Sequence, residues 1–238
     1  MFSGIFTNVT ESEKNIAIEG VIQHATPRHD FFVMLFLSVS MAAFGILLNN
    51  VTVLVGSMLI APLLYPLLSL SLGIITADTS LIRRSFYTIL KSMLFAVIAG
   101  FIIGTLFSSH NVVFNAPFIN SIESESPLIY AVVAAIAGFA AAFAVVKPRL
   151  SDTLPGVAIS VALVPPLSVA GVALSVFNWN VFSTAFLLFV VNVVGIVFSA
   201  MIVFALFRFS AKGIVTEKIV KKEEKVVKKE ESDSSSTK

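Results

Sequence analysis

Long apolar runs separated by short polar breaks organise the chain. The first run, FFVMLFLSVSMAAFGILL (Phe31 to Leu48), is closed by Asn49-Asn50. It is close to the ~20 residues that carry a helix through a bilayer and reads as a first membrane span. The second, VGSMLIAPLLYPLLSLSLGIITAD (Val55 to Asp78), holds Pro62 and Pro66 in its interior. A similar run, TLPGVAISVALVPPLSVAGVALSVFN (Thr153 to Asn178), holds Pro165 and Pro166. Unbroken, each would make a helix of about 40 Å against a hydrocarbon core of about 30 Å. Proline removes a backbone donor and clashes with the preceding turn, so a break in each run resolves the mismatch.

Three further spans complete the pattern. One begins near Ser92 (SMLFAVIAGFIIGTLF), after a short charged connector containing Asp78, Arg83, Arg84 and Lys91. Another is the alanine-rich stretch Leu128 to Val146, and the last follows the Asn178-Trp179-Asn180 turn and ends at Phe207. The expected fold is an all-α integral membrane protein of six transmembrane helices, the second and fifth broken at prolines.

Three regions follow: a cytoplasmic N-terminal segment (1–30), a membrane domain (31–208) and a charged tail (209–238). In the first, Thr10 and Glu13 have capping-box spacing and Pro27 is a stop. Ile16, Ala17, Val21 and Ala25 would form a modest apolar face, on a helix lying in the interface or in a partly ordered tail. In the tail, Val215, Ile219 and Val226, with Val220 and Val227, offer a helix only a weak stripe. Alternating Lys and Glu blocks favour a solvated, disordered segment.

Composition agrees with a bilayer environment: 57% of residues are apolar and 13% charged, and mean hydropathy is +0.95. The polar Met1 to Asp30 stretch carries no signal-type apolar core, so insertion is expected to use the first span. Absence of cysteine excludes disulfides, thiolate metal sites and cysteine nucleophiles. All 16 Lys and Arg lie in the N-terminal segment, the second-to-third and fourth-to-fifth connectors or the tail. The positive-inside rule then puts both termini in the cytoplasm of a multi-pass cell-membrane protein. It also disfavours a re-entrant second segment, which would send Arg83 and Arg84 outside.

Shifting the chain by 100 residues pairs Gly56 with Gly156, Leu63 with Leu163, Pro66 with Pro166 and Leu67 with Leu167. Each half (about 31–108 and 128–208) then has three spans with the proline-broken one central. An odd number of spans inverts the second half, an arrangement found in secondary transporters.

No charged residue lies inside an expected span, so an intramembrane ion pair or carboxylate relay is unsupported. The polar resources are hydroxyls, amides and freed backbone. Residues expected nearest a mid-membrane pocket are Gly56, Ser57, Pro62, Tyr65, Pro66, Ser69, Gly156, Ser160, Pro165, Pro166, Ser168 and Asn192. Asp78 and Asp152 would form a cytoplasmic rim, or be ordinary loop aspartates. For the serines the alternative is a hydroxyl bonded to its own helix carbonyl; for Asn192 it is helix-to-helix glue. Half-helix N-termini favour an anion or carbonyl-bearing solute, whereas unwound carbonyls favour a cation. Gly100 and Gly104 form a GxxxG pair, which points to a homo-oligomer or to tight packing within one subunit. His24, His29 and His110 are scattered, and no metal, cofactor or nucleic-acid partner is expected. No hydrolytic or phosphate-loop motif is present, so an enzyme is not expected.

On GSMLIAPLLYPLLSLSLGI (Gly56 to Ile74), the basic connector after it and LPGVAISVALVPPL (Leu154 to Leu167), the chain resembles the uncharacterised hydrophobic-domain family of bacterial and archaeal membrane proteins, a domain of unknown function. The resemblance covers residues 30–208 and implies a multi-span protein without a settled substrate. Some relatives carry a larger soluble domain before the spans. The expected function is transport of a small polar or anionic solute between broken helices. An ion channel, or a non-transporting scaffold or sensor using the tail as a contact, are the alternatives.

Overall fold

The computed structural model describes residues 9–107, 127–147, 150 and 163–236. Among these, all regular structure is helical: α1 (Glu11–His24), α2 (His29–Leu47), α3 (Val51–Ile60), α4 (Leu64–Thr76), α5 (Thr79–Phe107), α6 (Pro127–Val146), α7 (Val164–Ser175), α8 (Trp179–Leu206) and, after a 3-10 turn at Phe209–Lys212, α9 (Gly213–Ser236). Four helices, α2, α5, α6 and α8, are long and apolar enough to cross a bilayer, and α3 with α4 makes a fifth if the bent pair is one span. This is the architecture of an all-α, multi-pass membrane protein.

The side-chain distribution is that of a bundle in lipid. On α5 the outward row is Phe86, Leu90, Leu94, Ile98, Ile102 and Leu106, while Ser85, Thr88, Ser92, Ala96, Gly100 and Gly104 face inward. On α8, Leu187, Val190, Val194, Phe198, Ile202 and Leu206 point out. Lipid is as apolar as leucine, so large side chains gain little by burial. Helices associate instead through small residues that let backbones approach.

Pro62 dictates the break between α3 and α4. It has no N–H to continue the ladder, and it holds Ala61 extended (φ −70°, ψ 124°). The chain restarts at Leu64 and turns by 49°. Pro66 is the third residue of α4, where an amide has no intrahelical acceptor in any case. Pro165 and Pro166 likewise lie in the first turn of α7.

Both half-helices are placed by α5. Ser69 meets Ser85 (Oγ to Oγ 2.8 Å) and Gly73 faces Ile82, so α4 runs along the first half of α5 towards its N-terminus. Gly100 faces Ser168 and Gly171, and Gly104 faces Val172 and Ser175, so α7 runs along the second half towards the C-terminus. α4 and α7 therefore start beside the middle of α5 and diverge. Each also packs on α8. The first ten residues of α7, Val164 to Ala173, are all buried.

The turns after the two half-helices have the same build. Ala77 (φ 54°) and Phe177 (φ 55°) are left-handed. The next amide returns to the helix, Asp78 to Gly73 O and Asn178 to Ala173 O, both at 3.0 Å. Asp78 then caps α5 by accepting from the Ser80 and Leu81 amides, and Asn178 caps α8 by accepting from Val181. The α2–α3 turn has the same form at Asn49 and Asn50.

Several expectations change. The third long helix starts at Thr79 rather than near Ser92, so Arg83, Arg84 and Lys91 are helical, not a connector; the Asp78 cap extends the helix by more than three turns. The expected tail of 209–238 is helical over Gly213–Ser236 and packs on α1, α4 and α5. Neighbouring helices bury part of its weak stripe, Val220 most of all, while Val226 stays exposed. α1 forms with the expected capping box, but its buried face is Ala17, Ile18, Val21 and Ile22, with Ile16 61% exposed. For the Gly100/Gly104 pair, the reading of tight packing within one subunit holds, against α7 of its own chain.

Candidate functional site

The expected pocket residues fall into separate places. Gly56 faces Met41 across the α2–α3 seam. Buried Ser57 donates to Leu54 O (2.6 Å), and its own carbonyl accepts from Ser38. Ser69 accepts from Ser85, while Ser168 donates to Val39 O on α2 (3.4 Å). Tyr65 is half-buried and stacks on His24 with ring centroids 4.7 Å apart. Pro66, Pro165, Pro166 and Asn192 are buried among helices. Gly156, Ser160 and Asp152 lie outside the described residues, as does the half of the fifth run before Leu163. Asp78 is 8% exposed and serves as the α5 cap, which ties the expected rim residue into the backbone.

Most of these hydroxyls thus bond to carbonyls or to one another across helix seams. Among the described residues the main packing shared by α4 and α7 is on α5 and α8, and α7 also packs on α2 and α3. Of the expected set, Pro62 alone lines either of the two described cavities. That cavity, of about 290 Å³, also touches His24, Thr26, Arg28, Asp30 and Ile60.

The larger cavity, about 690 Å³, shares Thr26 and Arg28 with the smaller one. Its wall comes from four places: the α1–α2 link, the start of α2, the first half of α5 and α9. Arg28 caps the start of α2 without a side-chain hydrogen bond to it. Arg83, Arg84 and Lys91 come from α5, and Glu224 and Glu230 from α9. Arg84 donates through Nη2 to Thr26 Oγ1 (2.6 Å), and Thr26 in turn donates to Ile22 O (2.8 Å). Arg28 Nη2 reaches Glu223 (3.4 Å), and its Nε lies 3.5 Å from Glu230. Four cationic side chains thus face two carboxylates, with the first turn of α2 beside them. The recess thus carries an excess of positive charge.

Sequence reasoning used these basic residues only as topology markers. The signal lay in Asp78, whose capping position starts a helix at Thr79 and puts Arg84 and Lys91, seven residues apart, on one face.

The family described as a domain of unknown function, DUF389, matches residues 58–198. The chain belongs to the DUF389 family. The match includes the last three residues of α3, all of α4, α5, α6 and α7 and most of α8, and ends before α9. An uncharacterized protein of Methanocaldococcus jannaschii, MJ0678, is 34% identical over 201 residues, which cover 81% of this chain and 57% of the relative. The DUF389 chain therefore spans little more than half the length of that relative. No solved structure matches it.

Proposed function

We propose that this DUF389 protein is a transporter-like membrane protein built from two inverted three-helix repeats, moving a small polar or anionic solute between the half-helices α4 and α7. One observation carries the reading: two half-helices with a proline in the first turn, Pro66 in α4 and Pro166 in α7, begin beside the middle of α5 and run to opposite ends of it. Their N-terminal amides bear partial positive charge, which favours an anionic or carbonyl-bearing solute. The 100-residue spacing of the left-handed turns at Ala77 and Phe177 supports the repeat. In this reading α7 belongs to one of six spans. Both termini face the cytoplasm, consistent with the packing of α1 on α9, where Lys222 bonds Glu19 at 3.2 Å.

The test is flux in proteoliposomes screened across small anions, neutral metabolites and cations. Saturable uptake of one solute class, reduced by Pro66→Leu or Pro166→Leu, supports transport. Flux that never saturates and follows the ion gradient indicates a channel. An inert protein that still binds a partner through α9 is a scaffold; its basis is the helix presenting Lys221, Lys225 and Lys229 to solvent.

A further inference from the structure

We propose that the larger cavity at the foot of α2 is a binding site for a phosphate-class anion, held by the guanidinium groups of Arg28 and Arg84. The assignment does not depend on whether a solute crosses the bundle.

Three observations converge. First, Arg84 is half-buried and forms no ion pair among the described residues. Its Nη2 is satisfied by the neutral Thr26 hydroxyl, and its buried Nη1 has no hydrogen-bond partner. Glu224 and Glu223 act on this guanidinium only from a distance, with no hydrogen bond to it; a guanidinium drawn out of water without a bonded counter-charge is costly, and an anion beside it reduces that cost. Second, Arg28 Nε is also buried without a hydrogen bond, and its carboxylate neighbours stand at 3.4 and 3.5 Å, beyond the 2.7–2.9 Å of a tight charge-assisted contact. Two planar forks with unused donors on one wall suit a tetrahedral oxyanion. Third, Arg28 and His29 begin α2, whose first amides have no side-chain cap and add partial positive charge. Asp30, in the same turn, lines the neighbouring smaller cavity.

Arg83 and Lys91 raise the local positive charge, and the volume of about 690 Å³ exceeds what a bare phosphate needs. The shared chemistry is therefore a phosphate group, free or carried on a larger molecule. Since α2 is the first membrane helix, a phospholipid headgroup is one source and a soluble phosphate the other. Glu224 and Glu230 on α9 occupy the same wall, so α9 competes with the anion.

The full chain, in detergent and in nanodiscs, decides this. Inorganic phosphate is titrated calorimetrically, with chloride as control. Retention of phosphatidic acid over phosphatidylcholine is measured by native mass spectrometry from nanodiscs containing both. Saturable phosphate binding identifies a soluble ligand; selective phosphatidic acid retention without it identifies a headgroup. In either case Arg84→Gln is expected to weaken binding about tenfold, and the double variant E224Q/E230Q to tighten it. Lys91→Gln, at an exposed position, serves if Arg84→Gln does not fold, and is expected to weaken binding less. Binding to neither probe, or binding unchanged in Lys91→Gln and E224Q/E230Q alike, overturns the proposal.

Discussion

Gly171 offers the sharpest test of the α5–α7 seam, because local preference and tertiary contact predict opposite signs there. In an unobstructed helix, Gly→Ala stabilises by about 1 kcal/mol through backbone entropy. A Cβ on Gly171, however, would lie 2.6 Å from Val97 O and 2.8 Å from both Gly100 Cα and Phe101 N. All three are backbone atoms, so no rotamer change relieves the clash. Ordinary contact begins near 3.4 Å, and the helices must separate by several tenths of an ångström along a seam whose stability is dispersion between close surfaces. Overpacking of this kind costs about 3 kcal/mol at the upper end of its usual range. The net for Gly171→Ala is a loss of about 2 kcal/mol, roughly thirtyfold in the unfolding equilibrium. Gly20 on α1 is the control: nothing lies within 4 Å of its Cβ position, so Gly20→Ala should stabilise by about 0.5–1 kcal/mol. Reversible unfolding in mixed SDS micelles measures both. If Gly171→Ala is as stable as the parent, or gains like Gly20→Ala, the packing of α7 on α5 is wrong. If its loss instead depends on protein concentration, the glycine seam lies between subunits.

Asp78→Ala and Asn178→Ala each remove a helix cap and should cost similar amounts, about 1 kcal/mol; thermal unfolding in detergent compares them, and a large disparity counts against equivalent roles for the two turns. The hydrogen bond from Lys212, and then that from Lys14, holds the Glu11 carboxyl below its usual range. A carboxylate with a depressed folded value contributes stability above its unfolded value of about 4.3 and loses it as pH falls through the folded one. Hydrogen exchange at the start of α9 should therefore rise on acidification below that value in the parent, and show no such step attributable to this pair in Glu11→Gln. Cysteines introduced at Asn178 and Lys225 should label from opposite faces of sealed vesicles, Asn178 from outside; labelling of both from one face would refute the topology.

Short-range signals were legible along the chain. Hydropathy located α2, α6 and α8 because crossing hydrocarbon needs about 20 apolar residues whatever their neighbours. Pro62 announced the break after Ile60 through its missing donor and its restriction of Ala61. Thr10 and Glu13 announced α1, because a capping box is closed by residues three apart. Each of these signals lies within one continuous stretch of chain, the cap and the proline break within about one helical turn.

Tertiary structure decided the partners. Gly100 and Gly104 read only as a surface permitting close approach, and the α7 backbone supplied the occupant. Ser168 read in sequence as a pocket hydroxyl or one bonded to its own helix carbonyl, and in space it donates to Val39 O of another helix. The charged tail had too weak a stripe to specify a helix alone, yet α9 packs on α1 and brings Glu223 to Arg28 across 195 residues. The basic cavity was hidden for the same reason. Arg28, Arg84 and Glu224 belong to three distant stretches, and only the folding of α2, α5 and α9 against one another gives their charges a common wall.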